Sequence, residues 1–142
     1  MVEAREVMDR RQAALAARDL TAVADCYAED ARALTPDEGE LVGRDEILRY
    51  IQVTADAFPD IRYESLRKHE SGNVAINEGF WIGSNSAPLP VPSGQTVAAG
   101  KQLNLRVCEV AIVDGGKITR LDSYFDQVEF LGQLGLLPDL TA

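Results

Sequence analysis

Two long stretches, residues 74–83 and 100–113, alternate in character as side chains must across a β-strand, and they constrain the fold more than anything else in the chain. Alternate positions of the first are Val74, Ile76, Glu78, Phe80 and Ile82; those of the second are Leu103, Leu105, Val107, Glu109, Ala111 and Val113. Each predicted apolar face therefore carries one glutamate. An unpaired carboxylate among hydrophobes costs several kcal/mol or takes up a proton, so both positions need a reason. One reason is a pocket lined by that face, with the carboxylates acting as acid, base or ligand anchor. The other is a buried structural acid, neutral or paired with an arginine such as Arg11 or Arg106.

The remaining elements fall around these strands. Helical spacing predicts a first helix over residues 3–17, with Val7, Met8, Ala14 and Leu15 toward the core, and a second over 21–28, capped by Asp19 or Thr21. A short strand at 31–34 ends at Thr35-Pro36-Asp37. Gly43-Arg44-Asp45 opens a third helix that Pro59 closes. Alternation marks a strand at 61–66 and another at 117–126, and residues 128–134 read as a short C-terminal helix. A Pro- and Ser-rich loop, 84–95, joins the two glutamate-bearing strands and is expected at the rim of any pocket. Helices first and an antiparallel meander after is an α+β plan, with one domain over 1–142. A sheet curled around its helices leaves a cavity on its concave side. The opposite face, with Trp81, Arg106, Cys108, Val110, Ile112 and Tyr124, is too apolar for free solvent and predicts subunit contact.

Composition narrows the function. The net charge of −9 argues against nucleic acid and against anionic membrane surfaces. No apolar run approaches the roughly 20 residues needed to span a bilayer, and the acidic, polar start does not read as a secretory signal. A soluble, cytoplasmic protein is expected. Cys26 and Cys108 are too few and too far apart for a disulfide framework, and His69 is the single histidine, so neither a zinc site nor a Ser-His-Asp triad is expected. Val113-Asp114-Gly115-Gly116-Lys117 reads as a hairpin turn rather than a phosphate loop.

Several segments in fixed order resemble the SnoaL-like polyketide cyclase and ester cyclase group of the nuclear transport factor 2-like superfamily. They are Ala28-Glu29-Asp30-Ala31, Gly43-Arg44-Asp45-Glu46-Ile47, Phe58-Pro59-Asp60-Ile61, Asp114-Gly115-Gly116-Lys117-Ile118, and Tyr124-Phe125-Asp126-Gln127 running into Leu131-Gly132-Gln133-Leu134-Gly135. The resemblance implies a cone-shaped α+β barrel, usually dimeric, that binds a small hydrophobic molecule without metal or organic cofactor. It implies that Glu109 stands where the cyclases have an acid on the penultimate strand. The steroid isomerases' tyrosine and aspartate would correspond to Arg11 and Thr35, neither of which does that chemistry. The cyclases' aspartate base on the last strand would correspond to Ser123, or to Asp122 if a β-bulge turns it inward.

Three functions follow. The first is an enzyme performing cyclisation, isomerisation or dehydration on an apolar carbonyl compound, with Glu109, Glu78 and Asp122 as catalytic candidates. Its pocket is expected to include Arg11, Thr35, Tyr50, Phe58, Phe80 and Ser123. The second is a ligand-binding or dimerisation module without chemistry. The third is an epoxide hydrolase, disfavoured by the parity of Arg106 relative to Glu109.

Overall fold

A computed structural model describes residues 3–90 and 94–136. Helix α1, Ala4–Ala16, buries Ala4, Val7, Met8, Arg11 and Ala14, the spacing that makes one helical stripe. Helix α2, Leu20–Asp25, is capped by Asp19, whose carboxylate accepts from the Ala22 amide at 3.1 Å. It ends three residues earlier than its sequence suggests, because Tyr27 begins strand β1, Tyr27–Thr35. Strand β2, Gly39–Val42, returns antiparallel to β1 and was not apparent in the sequence. Gly43, at φ +92°, then turns the chain into helix α3, Arg44–Ala57. Strands β3, Arg62–Ser71, and β4, Val74–Ser84, form a hairpin. Two short strands follow, β5, Leu89–Pro90, and β6, Thr96–Val97. The long β7, Gln102–Asp114, pairs with β8, Lys117–Tyr124, and α4, Gln127–Gln133, closes the order.

Among the described residues, six strands make one curved sheet in the order β2-β1-β8-β7-β4-β3. Only β1 and β8 run parallel. The edge strands β2 and β3 are not paired to each other, so the curved sheet wraps around the helices, as expected, without closing into a full barrel. Helix α1 lies on the concave side against β3, β4, β7 and β8, while α3 packs on β1 and β2. One core cluster joins α1 and α2 to β1 and β8 through Val7, Met8, Val23, Tyr27 and Ile118; another gathers Phe58, Val97, Leu103, Leu105, Val107 and Leu134 at the far end. The space between these clusters is the cavity described below.

Register corrects one strand face. On β7 the inward side is Leu103, Leu105, Val107, Glu109, Ala111 and Val113, as alternation predicts. On β4 the inward side is Ala75, Asn77, Gly79, Trp81 and Gly83, because Asn77 pairs with Glu109 while Glu78 pairs with Cys108. Glu78, Phe80 and their apolar neighbours Val74, Ile76 and Ile82 thus face outward, and Trp81 faces inward. Both faces of β4 are apolar enough that alternation alone does not tell them apart.

Candidate functional site

The concave side encloses a cavity of about 950 Å³. Its walls are mostly apolar, with Leu103, Leu105 and Val107 from β7, Trp81 from β4 and Phe58 at the end of α3. Against this lining stands a polar group formed by Arg11 and Gln12 on α1, Asn77 on β4, Glu109 on β7 and Ser123 on β8. Strand register assembles it: Asn77, Glu109 and Ser123 lie side by side on three adjacent strands. Helix α1 crosses above them and lowers two consecutive side chains onto Glu109.

Glu109 is 2% exposed. Its carboxylate accepts from Arg11 Nη1 and Nη2 at 3.5 and 3.3 Å and from Gln12 Nε2 at 3.0 Å. Three N–H donors around one carboxyl are the surroundings of an ionised acceptor. Arg11 is also buried, and its Nε donates to the Tyr27 hydroxyl at 2.7 Å. Burial opposes the guanidinium charge, but Glu109 and Tyr27 outweigh it and raise the Arg11 pKa above its ordinary value, so the cation is permanent. Burial raises the Tyr27 phenol as well, keeping it neutral. Tyr63, shifted upward first by burial and then by the Glu109 charge, stays protonated and donates to the Val107 carbonyl at 3.2 Å.

Thr35, Tyr50 and Phe58 also line the cavity. The Tyr50 hydroxyl donates to both Asp37 oxygens at 3.0 Å, and burial followed by the Asp37 charge pushes the phenol upward. Leu89, Pro90 and Gln95 bring the ends of the 84–95 loop to the cavity wall; residues 91–93 lie outside the described residues. Asn85, buried, ties the loop base together through the Ala87 and Ala98 carbonyls and the Lys101 amide.

Three expected site residues are elsewhere. Glu78 is on the outer face, where Arg67 Nε donates at 2.9 Å and His69 Nε2 lies 2.7 Å away; those two partners hold its carboxyl down to about 2. Phe80 shares that face, opposite Glu64 and Arg106. Asp122 pairs with Val110 and Leu34 in register and forms an ion pair with Arg120 at 3.0 Å. A β-bulge does occur on β8, at Thr119, and it resets the alternation: Ile118 before it and Leu121 after it both face the core, which leaves Ser123 inward and Asp122 outward. Gln12, Asn77 and Tyr63 were missed. The signal for Asn77 was its place two residues before Gly79 and four before Trp81, on the strand face that carries the small residues. Among the described residues no group of three or more His, Cys, Asp or Glu side chains is arranged to hold a metal ion, and no helix is long and apolar enough to cross a membrane.

The family model described as a SnoaL-like domain matches residues 8–121. None of the curated proteins matches the sequence. Among solved structures, a candidate polyketide cyclase of Pseudomonas putida superposes with a TM-score of 0.81 at 19% identity, covering 94% of this chain and 98% of that one. A candidate polyketide cyclase of Xanthomonas campestris gives 0.81 at 20% identity over 92% and 96%. AclR, a candidate hydroxylase of Streptomyces galilaeus, gives 0.74 at 18% identity over 96% and 87%. At these identities the likeness establishes the fold, which is nuclear transport factor 2-like.

Proposed function

The chain belongs to the SnoaL-like domain family, and from that premise we propose that it is a small-molecule enzyme performing acid–base chemistry on a hydrophobic carbonyl compound. The observation that carries this reading is the Glu109 carboxylate on the floor of a large apolar cavity. Glu109 breaks a C–H bond next to a carbonyl: the proton goes to a carboxylate oxygen and the electron pair passes into an enolate. In cyclisation, the enolate carbon bonds to a second carbonyl carbon of the same molecule, and the resulting alkoxide takes the proton back. In isomerisation the proton returns to a different carbon. Negative charge moves from carboxylate to substrate while the charge of the cavity stays constant. Arg11, which cannot give up its own charge, faces one anion before the transfer and another after it.

Hydrogen–deuterium exchange at the α-carbon of 2-tetralone in D₂O tests this directly. The wild type should exchange the label well above the buffer rate, and Glu109→Gln should slow it on the order of a hundredfold or more. Glu109→Asp, which keeps a counter-charge for Arg11 but withdraws the carboxylate, should fold and also lose rate. Exchange by Glu109→Gln at the wild-type rate would end the proposal.

A second reading, a ligand-binding module without turnover, is favoured by Ser123. A serine, not an acid, faces Glu109 across β7 and β8, so the site has one carboxylate and an arginine already committed to it. Epoxide opening of the Asp-Arg-Asp kind is less well supported, since the Tyr27 hydroxyl occupies the far side of Arg11. In either reading, the outer sheet face is the surface on which two copies would associate.

A further inference from the structure

The Asn77 side chain is 0% exposed, lines the cavity, and leaves its Nδ2 without a hydrogen-bond partner. A buried amide donor with nothing to donate to is costly, and native folds seldom keep one without a use. The amide orientation is fixed by its neighbour. Arg5 Nη2 lies 2.5 Å from Asn77 Oδ1, and a guanidinium carries donors only, so the oxygen must be the atom that faces it. Arg5 is itself held by the Ile76 carbonyl at 3.2 Å and by Asp9 at 3.0 Å. With Oδ1 committed to Arg5, Nδ2 is the free edge of the amide. Glu109, directly across the strand pair, has its oxygens occupied by Arg11 and Gln12. Cross-strand neighbours place their Cβ atoms about 4.5–5.5 Å apart, so an unused donor and a carboxylate stand side by side at one end of an apolar chamber.

We propose that Asn77 Nδ2 is the hydrogen-bond donor for a ligand carbonyl oxygen seated beside Glu109, which makes the ligand class an apolar ketone or quinone rather than a hydrocarbon, an amine or an acid. This assignment rests on the Glu109 reading for its chemistry but not for its binding. A carbonyl oxygen and the hydrogen-bearing α-carbon are two bonds apart. A ligand held by Asn77 at the first therefore presents the second to Glu109, and the same N–H stabilises the enolate oxygen as charge develops there. A ligand with a positive group would meet the permanent Arg11 cation, and an anionic one would compete with Glu109 for it. A neutral acceptor meets neither conflict.

The test uses 2-acetylnaphthalene, labelled with ¹³C at the carbonyl, and its isostere 2-isopropenylnaphthalene, which replaces the oxygen by a methylene. The wild type should bind the ketone several-fold to tenfold more tightly than the alkene, and its bound carbonyl stretch should lie below that of the ketone in an apolar solvent. Asn77→Leu should bind the two equally and shift the stretch upward. Asn77→Asp keeps the shape and the Arg5 contact but replaces the donor by an acceptor, and should likewise lose the ketone preference; it serves if the leucine variant does not fold. Equal ketone preference in the wild type and in whichever variant folds, with an unchanged stretch, overturns the assignment and gives the orphan amide to an ordered water. No binding of the ketone by the wild type overturns it too. Loss of ketone preference in the variants upholds it even if Glu109→Gln leaves proton exchange untouched, in which case the catalytic reading alone fails.

Discussion

Arg11 interrupts the apolar stripe of α1 between Met8 and Ala14, and its burial obliges the fold to bring an acceptor to it. Glu109 answers from β7, 98 residues away in the chain. Removing one partner of such a pair leaves a buried charge uncompensated, whereas removing both leaves none. Arg11→Met and Glu109→Gln should therefore each cost on the order of 3 kcal/mol in denaturant unfolding, and the double variant much less than their sum. Additive losses would mean that the two residues do not act as a unit. The pairing also reverses what burial alone suggests for Glu109→Gln, since an unpaired acid would gain stability from neutralisation. Glu78 gives a contrasting test on the open face. Arg67 and His69 hold its carboxyl at about 2 in the folded protein against an ordinary 4.5. A folded pKa below the unfolded one stabilises fully above the unfolded value and loses that contribution as pH falls through the folded one. The stability difference between wild type and Glu78→Gln should thus shrink as pH is lowered from about 5 to about 2, as followed by urea unfolding. A difference that stays constant over that range would show that the two partners leave the Glu78 titration unchanged.

Strand β4 owes its function to a missing side chain. A Cβ on Gly79 would stand 2.3 Å from the Glu64 carbonyl and 2.8 Å from the Tyr63 ring. The glycine is what lets the Tyr63 ring cross β4 and place its hydroxyl on the Val107 carbonyl of β7, with Trp81 beside it at 5.0 Å between ring centroids. Gly79→Ala must displace the β3 backbone or that ring, and should destabilise the fold by about 1–3 kcal/mol in thermal or denaturant unfolding. A variant as stable as the wild type would mean that β3 gives way without cost. This strand also marks the boundary of what the sequence disclosed. The element order, the inward face of β7 and the Glu109 position were legible because alternation there separates apolar from polar residues. On β4 the hydrophobes Val74, Ile76, Phe80 and Ile82 point away from the cavity, and the inward face, apart from Trp81, is built from alanine, asparagine and glycine where α1 and Tyr63 press against it. The room that α1 and Tyr63 leave over each position, rather than hydrophobicity, decides those faces, and that room is set by neighbours that the local sequence does not contain. Strand β2 escaped notice for a related reason. It has four residues, of which only Leu41 is buried.

At the scale of the molecule, the outward β4 face reshapes the surface on which two copies would meet. Trp81 leaves that surface, since it faces the cavity. In exchange, Val74, Ile76, Phe80 and Ile82 join Val110, Ile112 and Tyr124 across three neighbouring strands, β4, β7 and β8. Ile112 is 36% exposed and Tyr124 56%. The surrounding charges are largely matched within the sheet itself, as Arg67 with Glu78 and Arg120 with Asp122 and Glu40. They therefore present little net charge to repel a second copy, despite the chain's overall −9. A homodimer through this face is the expected assembly, and sedimentation at micromolar concentration should detect it. Ile112→Glu places a charge in the middle of the patch and should dissociate the dimer while leaving the melting temperature of the monomer and the binding of 2-acetylnaphthalene almost unchanged, because the cavity lies on the other side of the sheet. A wild type that sediments only as monomer would remove this face from consideration. A variant that dissociates and loses ligand together would show instead that the cavity depends on the second copy for its shape.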